Sequence, residues 1–140
     1  MKSYVLGFLF SKNKEIVWLI EKNKPEWQMG LINGIGGKIE YDELPSDAMK
    51  REFNEEAGLI IDDWKQYAVF TDKRGYEVYC YYALSDERAK TMTDEKIWRY
   101  YTNSLPLTMI PNLNWLIPMA LSFENGETPK IYTITESECL

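Results

Sequence analysis

One stretch of 23 residues, GKIEYDELPSDAMKREFNEEAGL from Gly37 to Leu59, constrains this chain more than any other. Its second half reads as a helix from Pro45 to Ala57. Proline suits a first turn, where its missing N–H needs no partner. Met49, Phe53 and Ala57 recur at i, i+4 and i+8, a stripe for a core, and Gly58 stands where a left-handed cap belongs. Glycines at 34, 36 and 37 ask for unusual dihedrals or close backbone approach, so the helix is entered from a glycine-dense loop.

The same stretch holds seven acids (Glu40, Asp42, Glu43, Asp47, Glu52, Glu55, Glu56) against three bases (Lys38, Lys50, Arg51), most of the chain's net charge of −6. On the helix Glu52, Glu55 and Glu56 share an arc about 100° wide beside the apolar stripe. Carboxylates gathered in this way repel, and without compensation one holds a proton or weakens the helix. The usual remedy is a hard divalent cation, and oxygen-only ligands select Mg²⁺ or Mn²⁺. A solvated acidic face is the plain alternative.

The rest of the chain reads as one domain over residues 1–140. Tyr4–Phe10 and Ile16–Ile20 give a first hairpin, and Trp64–Thr71 with Tyr76–Leu84 a second. Ser85–Glu95 is polar and reads as a loop, followed by a strand over Ile97–Tyr101. Asn114–Phe123 reads as a second helix, with Pro118 tolerable only near its start. Lys130–Thr135 is a last strand. Strands around one long helix, without regular βαβ alternation, predict an α+β fold with a mixed sheet.

Composition removes several chemistries. With no histidine, Ser-His-Asp and Cys-His nucleophiles and histidine-bound zinc are excluded. Cys80 and Cys139 are too few for a disulfide scaffold and read as free thiols of a reducing compartment. The acidic balance argues against a nucleic-acid duplex as partner. The apolar run at the N-terminus is too short for a signal peptide, and no stretch reaches the ~20 residues of a membrane span. The expectation is a soluble, cytoplasmic protein with no membrane partner, monomeric or homodimeric.

Gly37, five residues, Glu43, seven residues, Arg51-Glu52-Phe53, one residue, Glu55-Glu56, one residue and Gly58-Leu59 reproduce the Nudix box over residues 37–59. The chain resembles a Nudix hydrolase. Pro25-Glu26-Trp27-Gln28, Gly30, Asn33-Gly34 and Gly36-Gly37-Lys38 are similar to the MutT-like branch, which hydrolyses nucleoside triphosphates, including oxidised purine forms. The resemblance implies an α/β/α sandwich with a mixed β-sheet and a catalytic loop-helix unit. It also implies Mg²⁺-dependent hydrolysis of a nucleoside triphosphate to the monophosphate and pyrophosphate.

Carried over by position, Glu55, Glu56 and the carbonyl of Gly37 are metal ligands, and Glu52 is a ligand or general base. Arg51 orients the carboxylates or, alternatively, clamps a phosphate. Glu43 caps the helix or joins the metal shell. Lys38 meets a phosphate or is a solvated strand residue. Asn33 reads a base edge or forms an Asn-Gly turn, and Trp27 stacks on a base or packs. Asn112 is a further base-reading candidate, with Asn114 as runner-up or helix cap; asparagines here replace the acids of some oxidised-purine enzymes. Glu95 is expected to supply an added catalytic carboxylate from a loop drawn in by substrate. The alternative is a solvated loop acid, with Asp94 and Glu87 as rivals. A dinucleoside polyphosphate hydrolase is the second functional reading, on Tyr76 about 17 residues past the box; Arg74 stands where ADP-ribose hydrolases carry proline. A non-catalytic Nudix-fold nucleotide sensor is the third, and the intact set of box acids weighs against it.

Overall fold

In the computed structural model, residues 2–72, 74–126 and 132–136 are described. Their elements run β1 (Lys2–Phe10), β2 (Ile16–Glu21), β3 (Ile32–Asn33), β4 (Ile35–Lys38), α1 (Pro45–Ala57), β5 (Lys65–Asp72), β6 (Tyr76–Leu84), β7 (Ile97–Tyr101), α2 (Leu113–Glu124) and β8 (Tyr132–Glu136). The strands form one mixed sheet in the order β3-β2-β1-β6-β5-β8, with β4 added to β1 and β7 to β2. β1 and β6 run parallel along their whole length, from Lys2 opposite Tyr76 to Phe10 opposite Leu84.

Both faces of β1 are used. Alternation sends Val5 and Leu9 to one side, where Met49, Phe53 and Ala57 of α1 complete a buried layer with Trp18, Ile20 and Tyr81. Phe8 and Phe10 point to the other side, against Leu113, Leu116, Ile117 and Ala120 of α2. Each buried Val, Leu, Ile, Phe or Met side chain among them stabilises the fold by roughly 1.5–3 kcal/mol. Helix on sheet on helix is the expected α/β/α sandwich.

Several local expectations change. The first hairpin pairs over only Leu9–Trp18 and Phe10–Val17. The rest of that edge of β1 is taken by β4, whose Gly36 and Gly37 lie opposite Leu6 and Val5. The glycine-dense segment therefore holds two short strands rather than a bare loop. Both are too short to show a period in sequence, and the open edges of β1 and β2 recruit their backbone groups. α2 includes Pro118 as an interior residue. The missing N–H removes one helical bond, and burial of the surrounding Leu116, Ile117 and Ala120 offsets it. β5 begins at Lys65, while Trp64 leaves the ladder to pack on Phe53, ring centroids 5.1 Å apart. β8 runs to Glu136, and residues 130, 131 and Cys139 lie outside the described residues. Cys80 is a buried free thiol. Among the described residues no helix is long and apolar enough to cross a membrane.

Candidate active site

Three pieces of chain meet at the outer face of α1. The first is β4, which presents Gly37 to the helix. A Cβ at Gly37 would stand 2.5 Å from the carboxyl carbon of Glu52, so any side chain there would push that carboxylate from its place. The second is α1 itself, closed by Gly58 in the left-handed region at φ 73°. The third is the segment before β7. Its Met92 and Lys90 N–H groups donate to the carbonyls of Glu56 and Ala57, at 3.3 and 3.0 Å, satisfying acceptors that a helix end leaves open. Those tethers, and the pairing of β7 with β2, bring Glu95 beside the box.

Arg51 organises the acids. Its Nε and Nη2 donate to the two oxygens of Glu43 at 2.7 and 2.9 Å. Its Nη1 donates to Glu52 at 2.9 Å and to Glu55 at 3.4 Å, and Nη2 also reaches the Lys38 carbonyl at 3.1 Å. Five N–H groups thus face five acceptors, which favours the orienting role and leaves no donor for a phosphate. Glu43 caps no helix donor. The Arg51 guanidinium holds its carboxyl below the usual carboxylate range.

Glu52 and Glu56 are strained in the opposite sense. Burial raises Glu52, outweighing the help it receives from Arg51. Burial, with the Glu52 and Glu95 carboxylates, pushes Glu56 up to about 7 against the opposing charge of Lys22. Glu56 Oε2 is buried with no donor facing it. Glu55 is 56% exposed, open to solvent beside them. Among the described residues no three acids are arranged so that they could together hold a metal ion. The orphaned oxygen and the mutual repulsion of desolvated carboxylates fit a site that takes up a hard cation, and oxygen donors alone suit Mg²⁺.

Glu95 is not the solvated loop acid of the alternative reading, and it stands beside the box before any substrate draws it in. It is only 4% exposed, the one buried charged residue of the described core, neither solvated nor carried on a free loop. Lys22 Nζ lies 3.0 Å from its Oε1, and the Asn23 backbone N–H donates to Oε2 at 2.8 Å. Lys22 and Asn23 carry no signal in the sequence, because their partner is more than 70 residues away.

A cavity of about 420 Å³ opens between the sheet and the start of α2. None of Glu52, Glu55, Glu56 and Glu95 lines it; Gly37, against Glu52, and Lys22, against Glu95, connect it to them. Lys22, Trp27, Asn33, Gly37, Tyr76 and Asn112 all line it. Trp27 is 65% exposed, so it is not a packing residue. Asn33 ends β3 opposite Ile20 and forms no Asn-Gly turn; its Oδ1 accepts from Gly34 N–H at 2.8 Å and its Nδ2 donates to Gln28 at 3.2 Å. Asn112 stands at the N-cap position of α2 without capping it, and its Oδ1 is buried and unpartnered. Asn114 instead ties its side chain to the Pro111 carbonyl at 3.1 Å. Lys38 is exposed and contributes nothing to the cavity wall. Asp94 and Glu87 are exposed.

Residues 2–104 match the NUDIX domain family. No curated protein matches the chain in sequence. In three dimensions it is similar to a NUDIX hydrolase from Nitrosomonas europaea, at 16% identity and TM-score 0.76 over 98% of this chain and 79% of that one. It is similar to the MutT NUDIX hydrolase from Burkholderia pseudomallei, at 15% identity and TM-score 0.72 over 84% and 96%. A third likeness is the NUDIX domain of Shewanella oneidensis NrtR complexed with ADP ribose, at 20% identity and TM-score 0.69 over 90% and 88%. These likenesses reflect a shared fold, and the sequence match runs from β1 through β7. The chain belongs to the Nudix family.

Proposed function

We propose that the protein is a Mg²⁺-dependent pyrophosphatase that converts a nucleoside triphosphate, oxidised purine forms included, to the monophosphate and pyrophosphate. The observation that carries this reading is the junction of two features at Gly37: its backbone lines a nucleoside-sized cavity and also stands against Glu52, which with Glu56 forms a desolvated, mutually repelling pair. Glu52, Glu55, Glu56 and the Gly37 carbonyl would hold the metal, with Arg51 setting the rotamers of two of them. When bound, Mg²⁺ supplies neutralisation of phosphate charge and acidifies water. Glu52 and Glu95 are the two carboxylates proposed to take a proton from the attacking water. Trp27 offers a stacking face, and Asn112 Oδ1 accepts a hydrogen bond from a base edge.

A dinucleoside polyphosphate hydrolase is the second reading. It is favoured by Tyr76, which lines the cavity with the Arg74 guanidinium 5.2 Å over its ring. The neighbour that holds ADP ribose adds that ligand to the panel. Incubation with Mg²⁺ and nucleoside triphosphates, dinucleoside polyphosphates or ADP-ribose decides between them. Monophosphate plus pyrophosphate is the expected result; turnover confined to dinucleotides transfers the assignment to the second reading.

A further inference from the structure

We propose that Lys22 is a phosphate-binding residue that passes from Glu95 to the substrate, so that arrival of the polyphosphate uncovers the Glu95 carboxylate; this rests on the pyrophosphatase reading above. The Lys22 side chain is 17% exposed and lies in the cavity wall, while its ammonium stands 3.0 Å from Glu95. Its charge is also felt at Glu56. It therefore faces the substrate space and the acids together.

The other cations are placed differently. Arg51 has its donors filled by Glu43, Glu52, Glu55 and the Lys38 carbonyl. Lys38 is outside the wall, and Arg74, which also lines it, is held over Tyr76 with Nη2 donating to the Tyr76 hydroxyl at 2.6 Å. Among the described residues Lys22 is the cation that the wall sets beside the buried acids.

The main chain on both sides of the pair is fixed. Lys22 donates its N–H to the Leu31 carbonyl at 2.9 Å and accepts from Gly30 at 2.8 Å, and Glu21 N–H donates to the Lys96 carbonyl at 2.8 Å. Only the lysine side chain needs to turn. A polyphosphate in the cavity outweighs one carboxylate as its partner, because several negative charges then face the same ammonium. Glu95 keeps the Asn23 N–H, which holds one oxygen in place, and its other oxygen is released to face water.

Binding of inorganic tripolyphosphate with Mg²⁺, followed by calorimetry beside nucleotide kinetics, tests the exchange. Lys22→Met is expected to weaken tripolyphosphate binding about tenfold and raise KM, with Lys22→Arg staying within about threefold of wild type. Glu95→Gln removes the competing charge, so it should tighten binding about two- to fivefold while lowering kcat at least about tenfold. That opposition is not expected of a merely structural ion pair. Lys22→Met strands a buried carboxylate; where that unfolds the chain, the double variant K22M/E95Q carries the comparison and should bind more weakly than E95Q. Equal binding by those two, or weaker binding by E95Q than by wild type, overturns the role of Lys22 and leaves the pyrophosphatase reading standing. Wild-type protein that neither binds tripolyphosphate nor turns over any nucleotide overturns that reading, and the exchange with it.

Discussion

Arg51 grips Glu43 through two parallel hydrogen bonds of 2.7 and 2.9 Å, eight residues apart in sequence, and uses the remaining edge of the same guanidinium on Glu52 and Glu55. The loop that enters α1 and the acids on its outer face are thereby set by one rigid plane.

Arg51→Lys should break this arrangement while keeping the charge, because an ammonium cannot reproduce the planar fork. Turnover is expected to fall about 10- to 100-fold with a modest loss of stability, about 1 kcal/mol given the partial exposure of the pair. Kinetics beside thermal melts check this; wild-type turnover would mean that Glu52 and Glu55 hold their positions without the arginine.

Glu56→Gln should separate stability from activity. In the metal-free protein the new amide can donate toward Glu52, and it replaces a desolvated carboxylate whose own Oε2 lacks any donor. The melting temperature in chelator should therefore rise. Turnover should fall at least about 100-fold, and the stabilising response to added Mg²⁺ should shrink. A variant less stable than wild type in chelator contradicts the repulsion argument.

Asn112→Ala and Asn33→Ala should behave differently. Asn112 Oδ1 is an unpartnered acceptor, whereas both ends of the Asn33 amide are engaged, by Gln28 and the Gly34 N–H. The first substitution is expected to reorder preference among bases, and the second to lower turnover of all nucleotides alike. Specificity constants across a panel of bases check both, and an unchanged ranking in Asn112→Ala removes it from base reading.

Glu124 gives a pH dependence away from the site. The Tyr82 hydroxyl donates to it at 2.8 Å, and this bond, helped by Lys65 and Lys14, holds its pKa below the usual 4.5. A lowered carboxylate pKa means that the folded state binds fewer protons. The stabilisation is present above about 4.5 and is lost as pH falls through the lowered value. Glu124→Gln should melt below wild type at pH 7, and the two curves should converge in acid. A constant gap down to pH 3 would assign the effect to packing.

What the sequence made legible is what lies close together along it. The Met49, Phe53 and Ala57 stripe, the Gly58 cap and the acidic arc are spaced within a few turns, and all stand where helical geometry puts them. Glu95 was identifiable as an acid before an apolar strand, but its burial was not, because it depends on tethers from Lys90 and Met92 to the end of α1. Lys22 was invisible for the same reason, since its meaning lies in a partner across the sheet. β3 and β4 escaped notice because two to four residues cannot declare a period, and their backbone is recruited by edges formed elsewhere.

The register of β7 on β2, with Ile97 opposite Ile20, has a bearing on how this scaffold tolerates change in length. Glu95 sits two residues before that anchored pair, so its address is counted backward from β7 and not forward from β6. Residues inserted around the exposed Glu87 would lengthen a surface excursion without shifting the buried acid. One residue inserted between Glu95 and Ile97 would carry the carboxylate off Lys22 and Asn23. The same loop is thus permissive at its entrance and intolerant at its exit, and grafting or tagging belongs at the former.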